Sequence, residues 1–247
     1  MSFGDFFLKN PKVFGPDIGL EPWGDESLAI GIAGIGFRFT GLSQRQVDRV
    51  RKRYDGFLLD DPADHLTILT EIYRTDTELF RPFDKRGWTY TLEMNHQPDR
   101  LRIVRSEWLA DIDCSGNLTA SLWTTTEHDV LFELAFGNVL RILTAYAALL
   151  RGGIMLHSAG ISDGERAWIG FGHSGAGKST LSGLALEAGQ RVLSDDTNVL
   201  DCNQGLWRAQ RLPFAGDLGP THGDDRAVPI ASILHLRQGP NHQQFQI

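Results

Sequence analysis

Two textures of hydrophobic patterning divide the chain. Up to about residue 125, apolar and polar positions alternate in short runs at 28–39, 66–73, 88–94, 101–104 and 118–123, separated by turn-forming clusters such as Asp60-Asp61-Pro62-Ala63-Asp64 and Asn95-His96-Gln97-Pro98-Asp99. A period of two puts one face of a strand in a core and the other in water, so these runs predict an antiparallel, sheet-rich α+β domain. One helix interrupts them, predicted over 43–54 with Ser43 as its N-cap.

Beyond a polar stretch at 124–128 the texture changes. Residues 130–150 are apolar at helical spacing and include Glu133, Asn138 and Arg141, which predicts a buried amphipathic helix rather than a membrane span. Short apolar runs of strand length follow at 152–161, 167–171, 191–194 and 228–236. Between the second and third, Leu181, Leu184 and Leu186, with alanines among them, read as the buried side of a helix that Gly189 ends. The expected domains are 1–125 and 126–247.

Composition narrows the function classes. The 247 residues carry a net charge of -7 with no basic stripe to neutralise phosphates, which argues against a nucleic-acid-binding surface. The one basic concentration, Arg45, Arg49, Arg51, Lys52 and Arg53, reads as a solvated helix face. Cys114 and Cys202 lie far apart without metal-ligand spacing, and residues 1–9 have no basic region followed by a long apolar stretch. A cytoplasmic protein without disulfides, structural zinc or secretory signal is expected.

The most specific chemistry lies in Gly172-His173-Ser174-Gly175-Ala176-Gly177-Lys178-Ser179, followed by Thr180, which fits G-x-x-x-x-G-K-[ST] between a predicted strand and a predicted helix. Glycines let successive backbone amides turn inward onto phosphate oxygens. Lys178 supplies a mobile positive charge for β- and γ-phosphates, and Ser179 a hydroxyl for Mg²⁺, so ATP and Mg²⁺ are the implied ligands. One helix later, Asp195 and Asp196 end a short strand that would return beside the loop strand. One carboxylate could hold Mg²⁺ and the other could take a proton from an attacking hydroxyl; the sequence leaves open which does which. His157 sits within the 152–161 run, where imidazole would serve proton transfer near neutral pH.

Taken together, Leu156-His157-Ser158-Ala159-Gly160, the 172–180 loop and Leu193-Ser194-Asp195-Asp196 resemble the catalytic domain of HPr kinase/phosphorylase and its relatives, and the loop also resembles that of ATP-dependent phosphoenolpyruvate carboxykinase. Residues 212–217 and 228–236 are similar to segments that follow in the same group. The resemblance covers about residues 126–247. It implies an α/β fold with a P-loop kinase core of this type, in which Lys178 and Ser179 bind phosphate and Mg²⁺, Asp195 and Asp196 act as metal-associated carboxylate and general base, and His157 lies near the reacting phosphate. Thr180 stands where the bifunctional HPr enzymes carry an acidic residue, which points away from HPr as acceptor and from phosphorolysis. In that family the domain continues past the 228–236 strand, so a shortened form is expected, and Arg211 and Arg226 are the remaining basic residues that could touch phosphate.

Two function classes follow. The first is an ATP-dependent kinase transferring the γ-phosphate to a hydroxyl, a serine of a peptide or protein, with the first domain helping to select the acceptor. The second is an ATP-binding regulatory module or ATPase without group transfer. A transport ATPase would need a signature helix and a distant strand ending Asp-Glu, and neither is present. Neither a nucleic acid nor a membrane is an expected partner, and self-association into a homo-oligomer is left open.

Overall fold

The computed structural model describes residues 14, 18–60, 66–75, 93–105, 108–125, 130–203, 205–214, 216, 218–219 and 226–239. The amino-terminal residues 1–9, most of the 60–64 turn, residues 88–92 of the third alternating run, residues 126–128 of the polar stretch, Ala215, Asp217 and the end of the chain at 240–247 lie outside them. The fold is mixed α/β and sheet-rich. It divides into two compact units, Met1–Leu143 and Thr144–Ile247.

Among the described residues of the first unit, nine strands form one sheet: β1 (Glu21–Pro22), β2 (Glu26–Ile32), β3 (Ile35–Leu42), β4 (Leu58–Leu59), β5 (Leu66–Arg74), β6 (Glu93–Gln97), β7 (Arg100–Val104), β8 (Trp108–Asp113) and β9 (Thr119–Thr124). The 28–39 run folds as a hairpin, because Ala33 and Gly34 both adopt positive φ (51° and 71°), the conformation that a two-residue turn between twisted strands requires. The sheet is not purely antiparallel as expected. β3 and β5 pair in parallel, as do β5 and β9. Alternation encodes which residues face the core and carries no information on strand direction, and the helix α1 (Gln44–Arg53) between β3 and β5 provides the crossover that a parallel pair needs.

Helix α1 starts where the sequence places it. Ser43 Oγ accepts from Gln46 N while the Gln46 side chain accepts from Ser43 N, a reciprocal cap. Its basic residues are not merely a solvated face. Arg49 and Arg53 both pair with Glu133 on helix α2 (Val130–Leu150). The amino-terminal half of α2 packs into this unit through Phe136, whose ring lies 4.3 Å from Phe39 and 5.6 Å from Tyr54. That packing explains why the division between units falls within α2 and not at the polar stretch. Residues 131–150 are long and apolar enough to cross a membrane, with mean hydropathy 1.3, and Phe132, Phe136, Val139, Leu140 and Leu143 among them are buried in the protein.

The second unit contains β10 (Ile154–Ser162), β11 (Ala167–Phe171), helix α3 (Lys178–Glu187), β12 (Arg191–Ser194), β13 (Thr197–Asn203), β14 (Leu206–Ala209) and β15 (Val228–His235). Pairing in the order β11-β15-β14-β13-β10 and back to β11 closes a five-stranded barrel. Ala167, Ile169, Leu193, Leu200, Ala209 and Val228 form its core, with Leu156 and Ile230 packed against them. Alternate residues of β10 and β11 point outward, where Ile161 and Trp168 meet Val192 and, from α3, Leu181 and Ala185. The expected buried side of α3 is therefore corrected. Lys178, Ser182 and Ala185 are its buried stripe, while Leu184 and Leu186 are exposed. Those two leucines lie about 100° to either side of Ala185 around the helix, too far round to reach the sheet.

Candidate functional site

The glycine loop occupies 172–177, between the end of β11 and the start of α3. Gly175 and Gly177 hold φ of 79° and 104°, and Gly177 is the N-cap of α3 without any side-chain cap. An L-side chain is strained there, whereas glycine lets the loop curl back at the start of the helix. Lys178 folds back onto the loop, its ammonium donating to Gly172 O at 3.0 Å and His173 O at 3.1 Å, with the side chain buried. A buried ammonium held on two neutral carbonyls is a partner for an anion arriving in the loop. His173 and Thr180 are exposed, Ser174 and Gly175 likewise, and Ala176 is buried at the base of the loop.

β10 lies between the loop strand and the aspartates, contrary to the expectation that β12 returns directly beside β11. β11 and β12 each pair antiparallel with β10 and so run parallel to one another. Their carboxyl ends consequently reach the same edge. Phe171 pairs with Ser158, and the Ser158 amide donates to Asp196 O at 3.0 Å. The start of the glycine loop and Asp196 are thus separated by two strand spacings, about 10 Å, with His157 and Ser158 between them.

The two aspartates are doing different things. Asp195 is 4% exposed and its carboxylate accepts from two backbone amides, Gly216 N on Oδ1 and Leu218 N on Oδ2, each at 2.8 Å. Asp196 is partly exposed and faces His157. The His157 Nδ1 lies 2.7 Å from Asp196 O and 3.3 Å from Asp196 Oδ1. A carbonyl oxygen only accepts, so Nδ1 carries the proton and, in the neutral ring, Nε2 keeps its lone pair. The ring is 62% exposed, so that lone pair is accessible.

Residues to which sequence reasoning assigned no role hold this bend. Ser194 Oγ donates to Phe214 O at 2.8 Å and accepts from Thr197 N at 3.1 Å and Asp196 N at 3.3 Å. Asn198, fully buried, donates from Nδ2 to Ser158 O at 2.7 Å and Ser158 Oγ at 3.1 Å, joining β13 to β10 beside His157. Gly160 makes room for it, since a Cβ there would lie 2.2 Å from Asn198 Oδ1. Ser158, Gly160 and Ser194 stand in the segments that carry the resemblance, without a role assigned to them, and for Asn198 the only sequence signal was closeness to the aspartates. The two late arginines are not together at the loop. Arg226 donates to Gly164 O in the β10–β11 turn, at the far end of β11 from the loop. Arg211 is buried next to Leu212, whose amide donates to Leu193 O.

Among the described residues, no group of three or more His, Cys, Asp or Glu converges to cage a metal. A Mg²⁺ site of the phosphate-bound kind needs no cage. One or two protein oxygens suffice, with phosphate and water completing the octahedron; Ser179 carries a hydroxyl at the loop, and the Asp196 carboxylate is partly exposed, its Oδ2 accepting from Thr197 Oγ1 at 3.2 Å. Asp195, with each carboxylate oxygen engaged by an amide, fits such a site less well.

No protein-family profile matches the chain, and no curated protein sequence matches it significantly.

Proposed function

We infer that this protein is a Mg²⁺-ATP-dependent phosphotransferase of the HPr-kinase-like kind, moving the γ-phosphate of ATP to a hydroxyl, a serine of a peptide or protein. The observation that carries the reading is that the glycine loop with Lys178 and the His157–Asp196 pair meet at the same level of the sheet, beside His157 and Ser158 in the middle of β10. The loop amides and Lys178 bind the phosphate chain. Ser179 and Asp196 would hold Mg²⁺, which supplies charge neutralisation on the phosphate oxygens.

A serine hydroxyl is a weak nucleophile at neutral pH and needs a proton acceptor within reach. Asp196 fixes the tautomer of His157 through Nδ1, leaving Nε2 to take the hydroxyl proton. The hydroxyl oxygen then bonds to the γ-phosphorus, the bond to the β,γ-bridging oxygen breaks, and ADP leaves with the bridging electron pair. Lys178 offsets the charge that develops on that leaving oxygen. Asp195 acts one step back, holding the Gly216 and Leu218 amides against the bend.

The reading is tested by calorimetry of Mg²⁺-ATP binding. Replacing Lys178 by Met removes the charge while keeping the aliphatic stem, and the loss of charge-assisted bonds worth about 1.5–3 kcal/mol should weaken binding roughly 10- to 150-fold. Equal affinity in the two proteins, or none in the wild type, overturns it.

A further inference from the structure

The geometry points to a nucleobase seat beside the loop, formed by Phe171 and His235, an assignment that rests on the phosphate-loop reading above. Phe171 directly precedes Gly172, so its backbone stands one Cα step, about 3.8 Å, from the first loop glycine. Its ring is 37% exposed and lies parallel to the His235 imidazole, with centroids 4.9 Å apart and planes 8° from coplanar. The two residues are register partners at the ends of β11 and β15. On its other flank Phe171 pairs with Ser158, a small buried residue.

This stack and the loop are joined at several points. Leu236 N donates to Phe171 O at 2.8 Å, Gln238 Nε2 donates to Gly175 O at 2.6 Å, and Gly172 passes so near Leu236 that a Cβ on it would lie 2.8 Å from Leu236 O. A ligand anchored in the loop is therefore anchored beside the stack. A nucleoside triphosphate is such a ligand, and it brings its own flat aromatic group on the tether of its ribose and phosphates. Parallel packing of Phe171 and His235 presents a flat π-face, the surface on which a base stacks, whereas an edge-to-face pair would present ring edges. Stacking alone reads area, not hydrogen bonds, so the seat prefers purine over pyrimidine nucleotides and does not separate ATP from GTP.

The test compares Mg²⁺-ATP with inorganic tripolyphosphate, which has the phosphate chain and no base. The wild type should bind ATP more tightly. Phe171→Ala and His235→Ala should each lose about tenfold on ATP, while tripolyphosphate affinity stays at the wild-type value. His235→Ala alters an exposed strand end, so it keeps the comparison open if Phe171→Ala fails to fold, and Phe171→Trp should retain ATP affinity. Wild-type affinity for ATP in both alanine variants overturns the seat, as does a parallel loss of both ligands. If the wild type binds neither ligand, the phosphate-loop reading fails and the seat with it.

Discussion

Replacing Asp195 by Asn separates a structural aspartate from a chemical one. In the native protein both carboxylate oxygens accept from backbone amides at 2.8 Å, in a site that is 4% exposed. Asparagine retains one acceptor oxygen and turns an NH₂ toward the other amide, so one charge-assisted hydrogen bond is lost and one backbone N–H is left unsatisfied. Each effect is worth about 1–3 kcal/mol, and because they overlap we expect about 2–4 kcal/mol in total. Set against a typical stability of about 5–15 kcal/mol, that is a large fraction, and it lowers Tm by roughly 10–20 °C for a unit of this size. Asp196→Asn, at a partly exposed site, should change stability by less than about 1 kcal/mol and yet abolish most transfer. Thermal and urea unfolding followed by circular dichroism measure both. If Asp195→Asn melts with the wild type and loses transfer, the clamp reasoning is wrong and Asp195 belongs to the chemistry.

His157→Ala should reduce transfer about 10²- to 10⁴-fold with nucleotide affinity unchanged, as single-turnover kinetics and calorimetry would show; unchanged turnover removes His157 as proton acceptor. Asp163 accepts from the Arg166 and Glu165 amides, which holds its carboxyl below the ordinary 3.8. A depressed carboxyl contributes stability that is present above 3.8 and lost as pH falls through its folded value, so the gap in Tm between wild type and Asp163→Asn should be seen at pH 7 and shrink below 3.8. Burial, with the Glu71 hydrogen bond second, pushes Tyr73 up to about 12, so the wild type minus Tyr73→Phe difference titration at 295 nm should show its phenolate only near that pH, and Glu71→Gln should move it down.

Legibility from sequence followed how local the physics was. The cap at Ser43, the extent of α2 and the strand ends around the loop could be read because a few neighbouring residues decide them. β8 could not: Trp108, Leu109, Ala110 and Ile112 are all buried, so both faces are covered at its start and the alternation that marks a strand is absent. Strand direction, the place of β10 between loop and aspartates, and closure of the barrel through β15 depend on partners far away in sequence. At the site, the residue types were legible and their division of labour was not. Adjacent aspartates look alike in a sequence, whereas a backbone segment twenty-odd residues on makes Asp195 a clamp and leaves Asp196 to His157. Asn198 drew no notice because its hydrogen bonds run to Ser158 on another strand.

The central claim is group transfer to a hydroxyl. Its most direct test is incubation of the protein with γ-labelled ATP, Mg²⁺ and a panel of serine-containing peptides and proteins, with the product treated in acid and in base. The account predicts label on the acceptor as an acid-stable, base-labile phosphoester, lost in His157→Ala and Asp196→Asn. Label released only as free phosphate, or held in an acid-labile phosphoramidate or acyl phosphate, would contradict it.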